Sequence, residues 1–159
     1  MVIVNFATKE NLKEIIEVYR GWGEFKGILP DEFIAGDTYE GLLKYFDGRD
    51  DSRKYIVAKI NDKVIGVCYI DVLFLKLKSI RLGYMFVSRE FRRRGVASAM
   101  IDKIIEYAKE KDVKKIWLWT QEELGDAIKL YEKKGFVFEG RQKKQFCEKD
   151  ALVYGLVLN

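Results

Sequence analysis

Val87-Ser88-Arg89-Glu90-Phe91-Arg92-Arg93-Arg94-Gly95-Val96-Ala97 leads from an apolar, strand-like stretch through a basic loop with one glycine straight into an amphipathic helix. The first amides of a helix have no intrahelical acceptor, so they point outward together, and the helix dipole adds partial positive charge at the same place. A pyrophosphate fits such a cradle. Gly95 lets the backbone come close to phosphate oxygens and the small Ala97 keeps the next turn open, while Arg92, Arg93 and Arg94 are expected to add charge and bidentate donors.

The residues after the loop sharpen this reading. A helix from Val96 to Glu110 is succeeded by a short strand, Ile116-Trp117-Leu118-Trp119, and then by Ala127-Ile128-Lys129-Leu130-Tyr131-Glu132-Lys133-Lys134-Gly135-Phe136. The series resembles the GNAT superfamily of acyl-CoA-dependent N-acetyltransferases, whose signature is R/Q-x-x-G-x-G/A, a helix, a strand and A-x-x-L-Y-x-x-x-G-F. Arg92, Gly95 and Ala97 match its first part; Ala127, Leu130, Tyr131, Gly135 and Phe136 match its second.

Composition bounds the alternatives. The chain has 159 residues, enough for one domain with a substantial core, and its 48% apolar and 34% charged residues are those of a soluble globular protein. Residues 1–159 are therefore read as a single domain. No apolar run approaches the roughly 20 residues that span a bilayer, and the charged Lys9-Glu10 argues against a signal peptide, so a cytoplasmic protein without membrane contact is expected. Cys68 and Cys147 lie far apart and form no C-x-x-C pair, so neither a disulfide framework nor a metal site is expected. The chain has no histidine, which removes the commonest general base and the commonest metal ligand together. The net charge of +4 is mild, and lysines and glutamates are interspersed, as on a solvated surface.

Hydrophobic periodicity orders the rest. Val2 to Phe6 reads as a strand, and Thr8 caps a helix with Leu12, Ile15, Ile16 and Tyr19 on one face, ending near Gly21. The stretch from Trp22 to Pro30 carries unusual apolar weight for a loop, so it packs down or lines a pocket. Asp37 and Glu40 are spaced as a capping pair for a second helix that turns Tyr39, Leu42, Leu43 and Phe46 inward. Strands from Tyr55 to Ile60 and Val64 to Ile70 form a hairpin through Asn61-Asp62. A further strand spans Ser79 to Val87; the third helix buries Ile101, Ile104, Ile105 and Ala108; a fourth covers Gly125 to Lys134; the last strands run from Phe136 to Gln142 and Ala151 to Leu158. This order gives a three-layer α/β domain around a mixed sheet. It is also the order of the GNAT family, which implies a mostly antiparallel sheet, splayed between its fourth and fifth strands, with helices on both faces.

The resemblance further implies that acetyl-CoA is the acyl donor, with its pantetheine between the splayed strands. Backbone groups of Met85, Phe86 and Val87 would bond the acyl and pantetheine part; amides from Arg93 through Val96 to Ala97 would hold the pyrophosphate; and Ser98 would add a hydroxyl. Ala127 belongs to the cofactor side, and Tyr131 matches the tyrosine that protonates the departing sulfur. The family's usual base is missing. Its fourth-strand glutamate falls on Arg81, its fifth-strand alternative on Trp119, and the asparagine before the helix alanine on Leu124. A water chain or a carboxylate such as Glu24, Asp71 or Glu122 must then take the proton. Trp22, Glu24 and Trp119 are the candidate acceptor residues, with Glu24 available to a cation; of Trp117 and Trp119, at most one is expected to face the cleft and the other to be core.

The leading reading is acetyl transfer to a primary amine, on a small molecule or peptide, by direct attack in a ternary complex. A non-catalytic CoA-binding regulatory module is the alternative, supported by the missing acids at Arg81 and Trp119. A nucleic-acid partner is disfavoured by the mild charge and the lone basic cluster. Whether the chain works alone or as a homodimer stays open.

Overall fold

The computed structural model describes residues 1–26, 38–146 and 148–159. Asp37, residues 27–30 of the apolar loop and Cys147 lie outside the described residues. In chain order the elements are β1 (Ile3–Phe6), α1 (Leu12–Tyr19), a 3-10 turn (Arg20–Phe25), α2 (Tyr39–Leu43), β2 (Arg53–Ile60), β3 (Lys63–Asp71), β4 (Ser79–Val87), α3 (Val96–Glu110), β5 (Lys115–Thr120), α4 (Gly125–Lys133), β6 (Val137–Phe146) and β7 (Lys149–Val157). The strands form one sheet in the order β1-β2-β3-β4-β5-β7-β6. Neighbours are antiparallel except β4 and β5, which run parallel.

The central strands are apolar without interruption because both of their faces are covered. On one face Ile56, Cys68, Ile70, Ile80 and Leu82 pack with Met100, Ile101 and Ile104 of α3. On the other, Tyr55, Val57, Val67 and Tyr69 pack with Leu12 and Ile15 of α1. Each such side chain is worth about 1.5–3 kcal/mol when fully buried, so the two faces together hold the helices onto the sheet. The β2–β3 hairpin turns on Asn61 and Asp62, whose φ values of 48° and 63° give the left-handed pair that matches strand twist.

The feature that shapes the site is a bulge in β4. Cys68 pairs with Met85 and Ile70 with Leu82, so Tyr69 alone faces Gly83 and Tyr84. The extra residue flips the alternation of side chains: Leu82 joins the α3 face, whereas Tyr84, two positions on, joins the α1 face. A bulged strand bends, and β4 leaves β5 at this point. Their pairing runs from Ser79 and Lys115 to Leu82 and Leu118 and no further. Gly83 permits the bend because the Tyr69 ring occupies the space of a side chain there; a Cβ would lie 2.1 Å from a ring carbon.

Several expectations are corrected here. The chain after α1 tightens into the 3-10 turn and buries Trp22, so the two expected alternatives, packing down and lining a pocket, are met together. The N-cap of α2 is Thr38, whose hydroxyl accepts from the Gly41 amide at 3.0 Å. Tyr39 is 37% exposed, because a five-residue helix has only one side against the core and its first turn lies outside it. Strand β6 continues to Phe146, past the expected end at Gln142. Its polar run escapes a hydrophobicity reading because an edge strand with solvent on one side tolerates charge. No described helix is long and apolar enough to cross a membrane.

The Gly83→Ala variant is expected to lose about 1–3 kcal/mol of stability through overpacking against Tyr69. Urea unfolding should show a lower midpoint with an unchanged slope; an unchanged midpoint would show that the ring yields freely and does not hold the bulge.

Candidate active site

Where β4 and β5 part, a cleft of about 1000 Å3 opens between them. One wall is β4 from Arg81 to Val87, the other is the end of β5 with Gln121 and α4, and the phosphate-loop end is closed by the first turn of α3. Beyond Leu82 the β5-facing edge of β4 has no strand partner among the described residues, so its N–H and C=O groups are presented to the cleft. Met85, Phe86, Val87, Gly95, Val96, Ala97, Ser98, Ala127 and Tyr131, all named from the sequence, line this one space.

The loop is built as an anion cradle. Gly95 is the N-cap of α3 at φ 79°, and the Ala99 amide bonds its carbonyl at 2.9 Å as the first turn closes. The amides of Val96, Ala97 and Ser98 therefore have no intrahelical acceptor. Arg93 also has positive φ, 58°, so left-handed residues flank Arg94 and curve successive amides into a concavity.

The arginines are used differently from the sequence expectation. Arg92 donates from Nε to the Val87 carbonyl at 2.8 Å and from Nη1 to Glu24 at 2.9 Å, its Nη2 pairing with the other carboxylate oxygen. Its guanidinium lies over the rings of Phe25 and Phe86, at 5.4 and 5.1 Å from their centres. Arg92 thus ties the 3-10 turn to the end of β4. The same pairing corrects Glu24, whose carboxyl is held below its usual range by the hydrogen bond from Arg92 and which is not free for an acceptor cation. Arg93 pairs with Asp126 at 3.0 Å across the mouth of the cleft, and Arg94 lies over Phe91 outside the lining.

Tyr131 is buried, on the α4 wall, with its ring 5.8 Å from that of Phe136. Burial pushes its phenol well above the usual range, with the nearby Cys68 adding to the shift, so it stays protonated. Cys68 is itself fully buried, with its thiol pushed up by the same desolvation, which fits a core residue.

The other expected bases are engaged. Asp71 accepts from Arg53 Nε at 3.1 Å and from Arg81 Nε at 2.8 Å, and Glu122 accepts from Arg141 at 2.6 Å. Among the described residues lining the cleft, the carboxylates are Glu123 and Asp126, and both are ion-paired, with Lys149 and Arg93. No group of three or more potential metal ligands gathers among the described residues.

Trp117 and Trp119 do not divide between core and cleft. Residues two apart in a strand share a face, and here the two rings meet edge to face at 5.3 Å, both half-buried, with Trp119 in the lining. The indole N–H groups of Trp22 and Trp119 and both polar atoms of Gln121 are buried without a partner among the described residues, and all three side chains line the cleft. Buried polar atoms are rarely left so, and a site that receives a polar ligand accounts for them. Gln121 carried no signal in the sequence; a polar residue just past a buried strand end is the pattern that would have found it.

Comparison with known proteins assigns the chain to a family. Residues 14–136 match the acetyltransferase (GNAT) family model, and the chain belongs to that family. An uncharacterized N-acetyltransferase of Methanocaldococcus jannaschii is 28% identical over 133 residues, 81% of this chain and 58% of its own length. Human N-acetyltransferase 8 is 30% identical over 88 residues, 54% of this chain and 39% of its own length. The chain thus spans little more than half of the first relative and about two fifths of the second. A GNAT acetyltransferase structure from Streptococcus pneumoniae superposes with a TM-score of 0.81 at 19% identity, each chain covered fully. The PaiA N-acetyltransferase of Thermoplasma acidophilum, solved in complex with coenzyme A, gives 0.79 at 15% identity over 99% of both chains.

A Cβ at Gly95 meets no protein atom within 4 Å, so a side chain there would occupy the space in front of the amides and hold a strained φ. Gly95→Val is expected to weaken CoA binding at least about tenfold, the equivalent of 1.4 kcal/mol. Calorimetry on the folded variant with an unchanged Kd would remove the loop as the phosphate site.

Proposed function

We propose that the protein transfers an acetyl group from acetyl-CoA to a primary amine by direct attack in a ternary complex. The observation that carries this reading is the unpaired edge of β4 beyond Leu82, which leads from the bulge to the free amides of α3. It offers hydrogen bonds to a chain with amide groups at one end and to a pyrophosphate at the other. Family membership and the CoA-bound structural neighbour support the same donor. The β4 amides near Met85 polarise the acyl carbonyl, and Tyr131 gives its phenolic proton to the sulfur as the amine's lone pair displaces it, so the negative charge that develops on sulfur is neutralised as it forms. Solvent then restores the phenol.

Among the described residues lining the cleft no carboxylate is unpaired, so the amine must enter neutral or lose its proton to water. A CoA-binding module without chemistry draws on that same observation. CoA release in single turnover with an amine panel separates the two: a burst supports transfer, and binding of acetyl-CoA without a burst from any acceptor supports the module.

Tyr131→Phe should lower kcat by about 10²–10⁴-fold, the range typical of a general acid, and leave the KM for acetyl-CoA near its original value. A loss confined to KM would make Tyr131 a packing residue. The pH dependence follows from the signs. The acid form of Tyr131 is the active one and burial raises its pKa, so kcat/KM should climb with the neutral fraction of the amine and show no falling limb up to about pH 9.5, just under a free tyrosine's pKa near 10. A decline between pH 7 and 9 would contradict the role.

A further inference from the structure

At the apex of the splay, about 20 Å along β4 from the phosphate loop by strand rise, sits a second group of charges that acetyl-CoA phosphates do not reach. Arg53 and Arg81 share one carboxylate, that of Asp71. The three side chains are only 26%, 13% and 11% exposed in the order Arg53, Arg81, Asp71, so two cations and one anion are largely out of water. Charge so placed is costly unless it is matched. Arg81 is the member that lines the cleft. Asp71 engages its Nε and Nη2, Tyr69 Oη lies 3.5 Å from Nη2, and Nη1 has no partner among the described residues. The guanidinium lies over Trp119, at 4.7 Å from the ring centre, and the unpartnered indole N–H of Trp119 and amide of Gln121 line the same cleft.

We infer that Arg81 is the anchor for a carboxylate on the acceptor, and that the acceptor is a small α-amino carboxylate with an apolar side chain. This rests on the acetyltransferase reading of the same cleft. An anion on Arg81 balances the cluster, and the indole N–H of Trp119 and the amide of Gln121 supply donors to it or to the acceptor's other polar atoms. The rings of Phe74, Trp117, Trp119 and Phe146 follow one another across this face with centre distances of 6.3, 5.3 and 5.8 Å, an apolar bed for a side chain. A polyamine, by contrast, would bring its cations to an excess of positive charge.

The missing base sets a condition on the amine. With no unpaired carboxylate among the described residues lining the cleft, the amine must react from its neutral form, and the carboxylate of a free amino acid keeps its α-amine more basic than the pKa of about 7.8 of a peptide terminus. Pairing the acceptor's carboxylate with Arg81 offsets the field by which that carboxylate would keep its own amine protonated. The reaction then balances simply: the neutral nitrogen forms the C–N bond, the C–S bond breaks, Tyr131 supplies the sulfur's proton, and the nitrogen's surplus proton leaves to water.

The test is a matched panel at saturating acetyl-CoA, read by CoA release: phenylalanine, phenylalaninamide and phenethylamine, and leucine, leucinamide and isopentylamine. With kcat/KM referred to the neutral amine present, the free acids should exceed the amides and amines by about ten- to hundredfold, as a charge-assisted contact to carboxylate gives. In R81Q the acid-to-amide ratio should fall toward one through KM for the acid, with KM for acetyl-CoA unmoved, and R81K should restore part of it. A merely structural Arg81 would change both acceptors alike. Amides or amines turned over as well as or better than the acids by the wild-type protein, per neutral amine present, would overturn the inference and leave acetyl transfer standing. Acetyl-CoA bound with no turnover of any of the six also counts against it, and failure to bind acetyl-CoA would remove the proposed function itself.

Discussion

The site depends on one contact, the Tyr69 ring seated where Gly83 has no side chain. That contact fixes the bulge, and the bulge ends the pairing of β4 with β5 after four residues on each strand. A parallel pair continued to the strand ends would have used up the backbone groups that now face the cleft. The protein instead leaves them open and secures the divergent strand by other means: Phe86 is buried against the α1 side, and Arg92 clamps the carbonyl of Val87. An unsatisfied strand edge inside a protein is unfavourable on its own, so the arrangement makes sense as a receptor for a chain that can complete it.

Charge along the cleft is divided by position. At the α3 end the backbone amides and the helix dipole favour an anion, while Arg92 and Arg93 are paired with Glu24 and Asp126 and set the loop's shape. At the far end the side chains themselves carry the excess, because Asp71 is shared by two guanidinium groups. The first arrangement suits a ligand whose phosphates must bind and leave; the second suits recognition of one fixed anionic group. Tyr131 lies between them, kept neutral by its burial.

Much of the fold was legible in the sequence because its signals are local. Apolar runs marked the central strands, Asn61-Asp62 marked a turn that needs left-handed residues, and Ser79–Val87 and Val96–Glu110 have the ends that periodicity assigned. The turn at Gly95 was legible for the same reason, since the left-handed glycine and the start of α3 are adjacent. The pairings that decide the use of charged residues were not. Glu24 and Arg92 are 68 residues apart, and Arg53, Asp71 and Arg81 come from three strands. From sequence, Arg81 was only a place where a glutamate was absent, and Gln121 was silent, because nothing local records that a polar atom ends up buried without a partner.

Amide hydrogen exchange with and without CoA tests the placement of the donor most directly. Protection should rise at the β4 amides from Gly83 to Val87 and at Val96, Ala97 and Ser98, while the first half of the edge strand β6, Val137 to Arg141, which does not line the cleft, stays unchanged. Uniform protection, or protection that spares both β4 beyond Leu82 and the first turn of α3, would contradict a donor bound between the parted strands.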